Sequence, residues 1–299
     1  MAGLFVIAPV AAVAADLEDY LEGAGSASFA GRQATWCSYR GQTEFKVVSV
    51  EHAGSVTMVE NAGSSQVIGG GRNAVIDEAT GIAISDWSQA ELSSRYVTAS
   101  VDAESRLGRD VVVVTVDEGN VVRAKIWFDD ETGAPLGSEI YDGAGNLFRL
   151  SWMLDFDPYP RKIFSMMGDK SSTYDVVVPV DADDLPSVVA GYARVDSYAG
   201  PDESVHAFYT DGLFSFSVFR IEGQVESSPF AAAEEVTIAG ASYRWLLTPS
   251  DLWINWNGDG LSFVLVGDLP PDHLEQVLAE LPAPAAGNIF TRIWHGLFG

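Results

Sequence analysis

Basic residues are scarce in this 299-residue chain: 17 Lys and Arg stand against 42 Asp and Glu, a formal net charge of −25 at pH 7. Such a surface repels phosphate backbones, which argues against nucleic acid as a partner. It favours solubility, and its sharper reading is attraction to a basic partner or to cations. Cysteine is limited to Cys37, so no intrachain disulfide can form; no histidine lies near it in sequence, and a half-buried structural thiol is expected. The four histidines, His52, His206, His273 and His295, are scattered and show neither H-E-x-x-H nor H-x-x-E-H spacing. Long apolar runs are absent too, and no segment approaches the length of a membrane span.

Lys and Arg are missing altogether before Arg32. This bears on residues 1–15, where an apolar run, Leu4–Ala11, precedes Ala12-Val13-Ala14, an A-x-A cleavage signal. The pattern is that of a secretory signal peptide lacking its basic n-region, and the expectation is a start codon further upstream. An extracytoplasmic location follows: the periplasm or the outer face of the cytoplasmic membrane.

What is abundant is strand signal. After a short helix from Leu17 to Leu21, ending at Gly23, period-two alternation begins at Cys37, with Tyr39, Gly41, Thr43, Phe45 and Val47 on one face. Strands are expected near 55–60, 74–77 and 82–86, and a capping box at Ser88–Glu91 opens a helix over 89–95. Strands at 96–101, 111–116, 121–129, 136–142 and 147–156 are separated by turn residues, which predicts an antiparallel meander. In the last of these, Phe148, Leu150, Trp152, Leu154 and Phe156 alternate with polar residues, giving one greasy and one wet face. Phe148, Leu150, Trp152 and Leu154 are therefore the candidate lipid groove. Pro158 and Pro160 end the meander. The expected organisation is a domain over 16–168, a linker over 169–184, a smaller β-rich domain over 185–281, and a linker with an amphipathic aromatic tail over 282–299. The second domain closes with a helix over 271–281, whose Leu274, Val277, Leu278 and Leu281 share one face.

Residues that could carry chemistry have plainer readings. Gly69-Gly70-Gly71-Arg72 lacks the Lys-Ser/Thr of a phosphate loop and reads as a flexible turn. Asn255–Gly260 opens like a calcium loop, but Val266 stands where the bidentate Glu belongs, so a hairpin turn is expected. Asp129-Asp130-Glu131 on a hairpin tip, and Asp155 with Asp157, read as solvated acids. No catalytic, cofactor or metal site is expected, and the class is a non-enzymatic binding protein.

Two stretches carry a family resemblance. Val205–Phe219 holds a hairpin around Asp211-Gly212, and its Tyr209-Thr210-Asp211-Gly212-Leu213 resembles the Y-S-D-G-L motif of the RseB/MucB family. Ala124–Leu136, with Trp127 followed by Thr132-Gly133-Ala134-Pro135-Leu136, is similar to the W-x-D-x-x-T-G-L-P-L hairpin of that family's N-terminal domain. Gly108-Arg109 and Glu139–Gly145 resemble further steps of the same domain. The chain departs from the pattern at Ala134, where the family has leucine, and at Thr210, where it has serine. The resemblance implies a mainly β fold with a few helices: a curved antiparallel half-barrel similar to the lipoprotein carriers LolA and LolB, plus a smaller β-rich C-terminal domain. It implies an extracytoplasmic regulator that binds an anti-sigma factor, mainly through the second domain and the cleft, and senses a lipid or lipoprotein acyl chain. The alternative is a stand-alone lipid or lipoprotein carrier, and a homo-oligomer is left open. The motif positions Trp127, Thr132, Gly133, Pro135, Tyr209, Asp211, Gly212 and Leu213 are expected to be structural.

Overall fold

The computed structural model describes residues 17–53, 56–61, 64–69, 75–76, 83–84, 94–161, 180–200, 204–222, 233–249 and 251–285. The expected signal segment, most of the helix expected over 89–95, most of the expected 169–184 linker and the expected aromatic tail beyond 285 lie outside these residues.

After α1 (Leu17–Ser26) come β1 (Ser28–Tyr39), β2 (Gln42–Ala53), β3 (Val56–Asn61) and β4 (Ser64–Gly69). A small pair follows, β5 (Val75–Ile76) with β6 (Ala83–Ile84). Next are β7 (Tyr96–Arg106), β8 (Arg109–Glu118), β9 (Val121–Asp129), β10 (Pro135–Tyr141) and β11 (Leu147–Met153). The two meanders join where β1 pairs with β11, giving a nine-stranded order β4-β3-β2-β1-β11-β10-β9-β8-β7. The second sheet repeats this plan. β12 (Val188–Val189), β13 (Tyr192–Ala199), β14 (Val205–Thr210) and β15 (Ser215–Glu222) form one meander. β16 (Glu234–Ile238), β17 (Ala241–Leu247), β18 (Leu252–Gly258) and β19 (Leu261–Gly267) form the other, joined through β15 and β19. α2 (Pro271–Glu280) closes the unit. The fold is mainly β with two helices among the described residues, in two open antiparallel sheets.

Five hairpins turn on two residues with both φ positive: Arg40-Gly41, Leu107-Gly108, Ala190-Gly191, Ala239-Gly240 and Asp259-Gly260. This is the type I′ geometry, whose twist matches that of the strands it joins. Glycine bears the second positive φ without cost, and strand pairing offsets the strain at the first.

Two expectations need correction here. Residues 39–47 are not one strand: Arg40-Gly41 folds them into a hairpin in which Tyr39 faces Gln42, while Phe45 pairs with Trp36 and Val47 with Ala34. The alternation along β11 is also broken. A register shift leaves Tyr141 opposite Leu147 and Ile140 opposite Arg149, so Phe148 is the extra residue of a bulge. The bulge sends Phe148 into the core shared with the second sheet, while Trp152 packs in the other core cluster.

The larger core runs through both sheets and α2. Tyr39 meets Trp245 edge-on at 5.7 Å, and Tyr20 of α1 stacks on Phe128 at 5.3 Å. Pro271 starts α2 at a position where its missing N–H is not needed. The helix buries Leu274, Val277 and Leu278, with Leu281 beyond its end. Cys37 is fully rather than half-buried, and burial pushes its thiol pKa up, opposed by Arg149.

Candidate functional site

Residues directly opposite in antiparallel strands share a face. One lateral row of the first sheet therefore runs Phe45, Trp36, Leu150, Glu139, Lys125, and the next runs Val47, Ala34, Trp152, Gly137, Trp127, Val113. Four strand spacings separate β7 from β11, roughly 19 Å along a flat sheet. Yet the Arg106 guanidinium lies 3.5 Å over the Trp152 ring and donates to the Met153 carbonyl at 3.3 Å. The sheet therefore curls with this face inside.

The resulting gutter is aromatic. Trp127 and Trp152 meet at 4.6 Å, and Trp127 Nε1 donates to Glu104 at 3.0 Å. The Trp152 ring lies on Gly137, where a Cβ would stand 2.2 Å from a ring carbon. Trp36, Leu150 and Trp152 are half-buried, and Phe45 is 61% exposed and Val47 38% exposed at the lip. Arg106 reaches inside over Trp152; burial lowers its pKa, with Glu139 acting the other way. Of the four expected groove residues, the structure places Leu150 and Trp152 on the gutter wall and Leu154 at its end, 44% exposed. Phe148 is on the opposite face. Trp36, Phe45, Val47 and Arg106 were not read as groove residues; recognising the Arg40-Gly41 hairpin would have set Phe45 opposite Trp36 and Val47 opposite Ala34, while their alignment with Leu150 and Trp152 needs the distant β1–β11 pairing.

The hairpin with Thr132, Gly133 and Pro135 is closed by Asp129, which is buried rather than solvated. Asp129 accepts from Arg109 Nε at 2.5 Å and from the Thr132 hydroxyl at 2.6 Å. Gly133 (φ +74) returns its N–H to the Asp129 carbonyl. Although burial alone raises a carboxyl pKa, Arg109 and Thr132 hold Asp129 low. The Gly108-Arg109 turn thus supplies the counter-ion that lets this acid be buried. Pro135, opposite Phe128, begins β10.

The second hairpin is equally enclosed. Tyr209, Asp211, Leu213 and Phe214 are all buried. Asp211 Oδ1 accepts the N–H groups of Leu213 and Phe214, and Gly212 takes φ +89. Asp211 Oδ2 accepts the Tyr96 hydroxyl at 2.7 Å, which ties this turn to the first sheet. Tyr209 stacks on Phe216 at 4.9 Å and donates to the Pro186 carbonyl.

Around that tie lies a buried clamp between the sheets. Arg123 on β9, fully buried, donates to Asp272 Oδ2 at 2.9 Å and to His273 Nε2 at 2.6 Å. Its Nε also lies 2.9 Å from Glu118 in an ion pair without hydrogen-bond alignment. Since His273 Nε2 accepts, its proton sits on Nδ1 and goes to the Tyr192 hydroxyl at 2.6 Å. Burial, and next the Arg123 charge, lower the His273 pKa. Arg149 with Asp268 (3.3 Å) and Arg40 with Glu275 (2.9 Å) extend the junction. Sequence spacing could not show this cluster, because its members lie about 150 residues apart. Among the described residues, no three His, Cys, Asp or Glu side chains are placed to hold a metal ion, and no helix is long and apolar enough to cross a membrane.

No family model matches the chain, and no curated protein matches it. Solved structures do share its fold. MucB of Pseudomonas aeruginosa, in complex with MucA, superimposes with a TM-score of 0.51 at 19% identity, over 90% of this chain and 99% of that one. A crystal structure of MucB in complex with MucA(peri) gives 0.52 at 20%, over 90% and 98%. A crystal structure of MucB gives 0.51 at 22%, over 89% and 96%. At these identities the likeness establishes a common fold, extending through both sheets.

Proposed function

We propose that the chain is a non-enzymatic extracytoplasmic regulator that binds the extracytoplasmic segment of an anti-sigma factor and senses a lipid or lipoprotein acyl chain. The observation that carries this reading is the shared fold along 90% of the chain with MucB in complex with MucA(peri). The motif residues support it from another side: Asp129 and Asp211, which lie in the two resembling stretches, are each committed to turns and ion pairs. That is scaffold use, not catalysis. Export rests on the Leu4–Ala14 pattern. The test is calorimetric titration of the protein with the extracytoplasmic segment of a membrane-anchored anti-sigma factor from the same genome. Micromolar or tighter one-to-one binding is expected, and no binding by any such segment defeats the reading.

The gutter favours lipid carriage as a second activity. Trp36, Leu150 and Trp152 offer an apolar wall, and the Arg106 guanidinium lies over Trp152, where a headgroup's negative charge would fit. Lipids brominated along the acyl chain should quench the tryptophan fluorescence, and Leu150→Asp should abolish the quenching. Equal quenching in that variant would place the acyl chain elsewhere.

A further inference from the structure

β7 ends the first sheet, and among the described residues no strand lies beside its outer edge. From Ala99 to Ser105 every residue is exposed; Ala99 is the extra residue of a register shift, and from Ser100 on the positions alternate between both faces. A row of unpaired backbone N–H and C=O groups this long is a template for an added strand. The other outer strands are shorter: two residues in β12, five in β16 and six in β4. The β7 edge also has a chemical pattern. Ser100, Asp102 and Glu104 stand opposite Thr115, Val113 and Val111, on the gutter face. Val101 and Ala103 stand opposite Val114 and Val112, on the other face. Val101 is 37% exposed. A strand laid along β7 would set alternate side chains beside the two carboxylates and the intervening ones beside Val101 and Ala103.

We propose that Ala99–Ser105 is the docking edge for an extended peptide segment with Lys or Arg at alternate positions and β-branched residues between them. Charge selects this occupant. The neighbouring arginines are already engaged, Arg106 on Trp152 and Arg109 on Asp129; among the described residues the exposed Asp102 has no ion-pair partner and accepts only the Ser100 hydroxyl, and the exposed Glu104 lends one carboxylate oxygen to Trp127 Nε1 and has no ion-pair partner either. A second copy of this chain fits poorly. Antiparallel pairing of β7 with itself about Asp102, Ala103 or Glu104 sets carboxylate against carboxylate, between molecules that each carry −25. β7 also leads somewhere: its first residue, Tyr96, is bonded to Asp211 of the second unit. A segment paired on β7 therefore runs into the junction between the sheets. The inference rests on the proposed anti-sigma reading and names the edge that holds that partner's segment.

The test uses the full-length protein and a nine-residue peptide alternating lysine and valine, with a glutamate–valine peptide as control. Fluorescence anisotropy should show salt-sensitive binding of the lysine peptide alone. Hydrogen exchange should slow at residues 99–105 when it binds. Asp102→Lys, at an exposed position that leaves the fold intact, should weaken binding at least tenfold, with Asp102→Asn intermediate. Methylating the peptide's alternate backbone nitrogens on the β7 side should abolish binding at unchanged charge. Unchanged affinity in Asp102→Lys, or protection elsewhere with 99–105 unaffected, overturns the proposal. An anti-sigma segment that binds with protection elsewhere overturns the docking edge and leaves the proposed function standing. A lysine peptide that protects 99–105 while no anti-sigma segment binds supports the edge and defeats the function.

Discussion

In the second sheet, β14 is buried at all six positions and β19 at five in a row, Ser262 to Val266. In the first sheet, β7 is exposed at seven in a row. Both sheets follow one plan, two meanders zipped by a single pair distant in sequence. They differ in what covers them. Among the described residues, large exposed apolar side chains in the first region are Phe45, Val47, Val97, Val101, Leu107, Leu154 and Tyr159, against Val188 and Val195 in the second. Leaving apolar area in water forgoes about 25 cal/mol for each Å². A unit that keeps such area bare in a gutter and along an edge is arranged to have it covered by something else. The second unit is thus the more closely packed and the first the more open, and the clamp joins them; under the proposed function the open surface of the first is where a partner or acyl chain would be received.

The strongest test of that division is the clamp. Arg123→Ala empties the place of a fully buried guanidinium and takes the cation from buried His273 and the part-exposed Glu118 and Asp272, and should cost about 3 kcal/mol in denaturant unfolding. A loss below about 1 kcal/mol would show that the sheets do not depend on it. Phe216→Ala, in the packed core between Tyr192 and Tyr209, should cost about 3–5 kcal/mol. Acid should act through the scaffold as well. Burial pushes the His206 pKa from 6.5 down to about 4. Its ring stacks on Phe219 at 4.5 Å, with Nε2 2.8 Å from the Ser217 hydroxyl. As pH falls through this window the unfolded chain takes up a proton that the folded chain refuses. Stability should drop by roughly 3 kcal/mol and then level off. His206→Phe should remove that part of the slope; an unchanged slope would mean that the ring is solvated. In the receiving sheet, Gly137→Ala drives a methyl into Trp152 and should cost about 1–3 kcal/mol, with a change in tryptophan fluorescence. Phe45→Ala should lie within about 0.5 kcal/mol while weakening acyl-chain quenching, since its ring is already in water. A large destabilisation there would contradict the open gutter.

Much of the strand layout was legible. β9 spans Val121–Asp129 as read from the turn residues that flank it, and the helix expected over 271–281 (observed Pro271–Glu280), the Asp211-Gly212 hairpin and the β18–β19 turn follow from local chemistry. Less legible were hairpins whose first turn residue carries no signal, such as Arg40-Gly41, since nothing local marks an arginine that accepts positive φ. The bulge at Phe148 was hidden as well. Period two continues unbroken through the letters Phe148, Leu150, Trp152, and only the register against Tyr141 reveals that one residue is extra. Asp129 looked like a solvated tip because the arginine that neutralises it lies twenty residues earlier, across a strand pair.

By itself, then, the sequence determined the β class, most strand bounds, the turn chemistry and the acidic character, because each follows from neighbours within a few residues. Tertiary structure alone decided which face of each strand lies inside, that Trp152 meets Trp127 and Arg106, that Arg123 and His273 share one buried clamp, and that β7 is left at an edge. Those outcomes depend on which strands pair across more than a hundred residues of chain. Pairing energy, curl and burial settle that choice only when all the strands are present together.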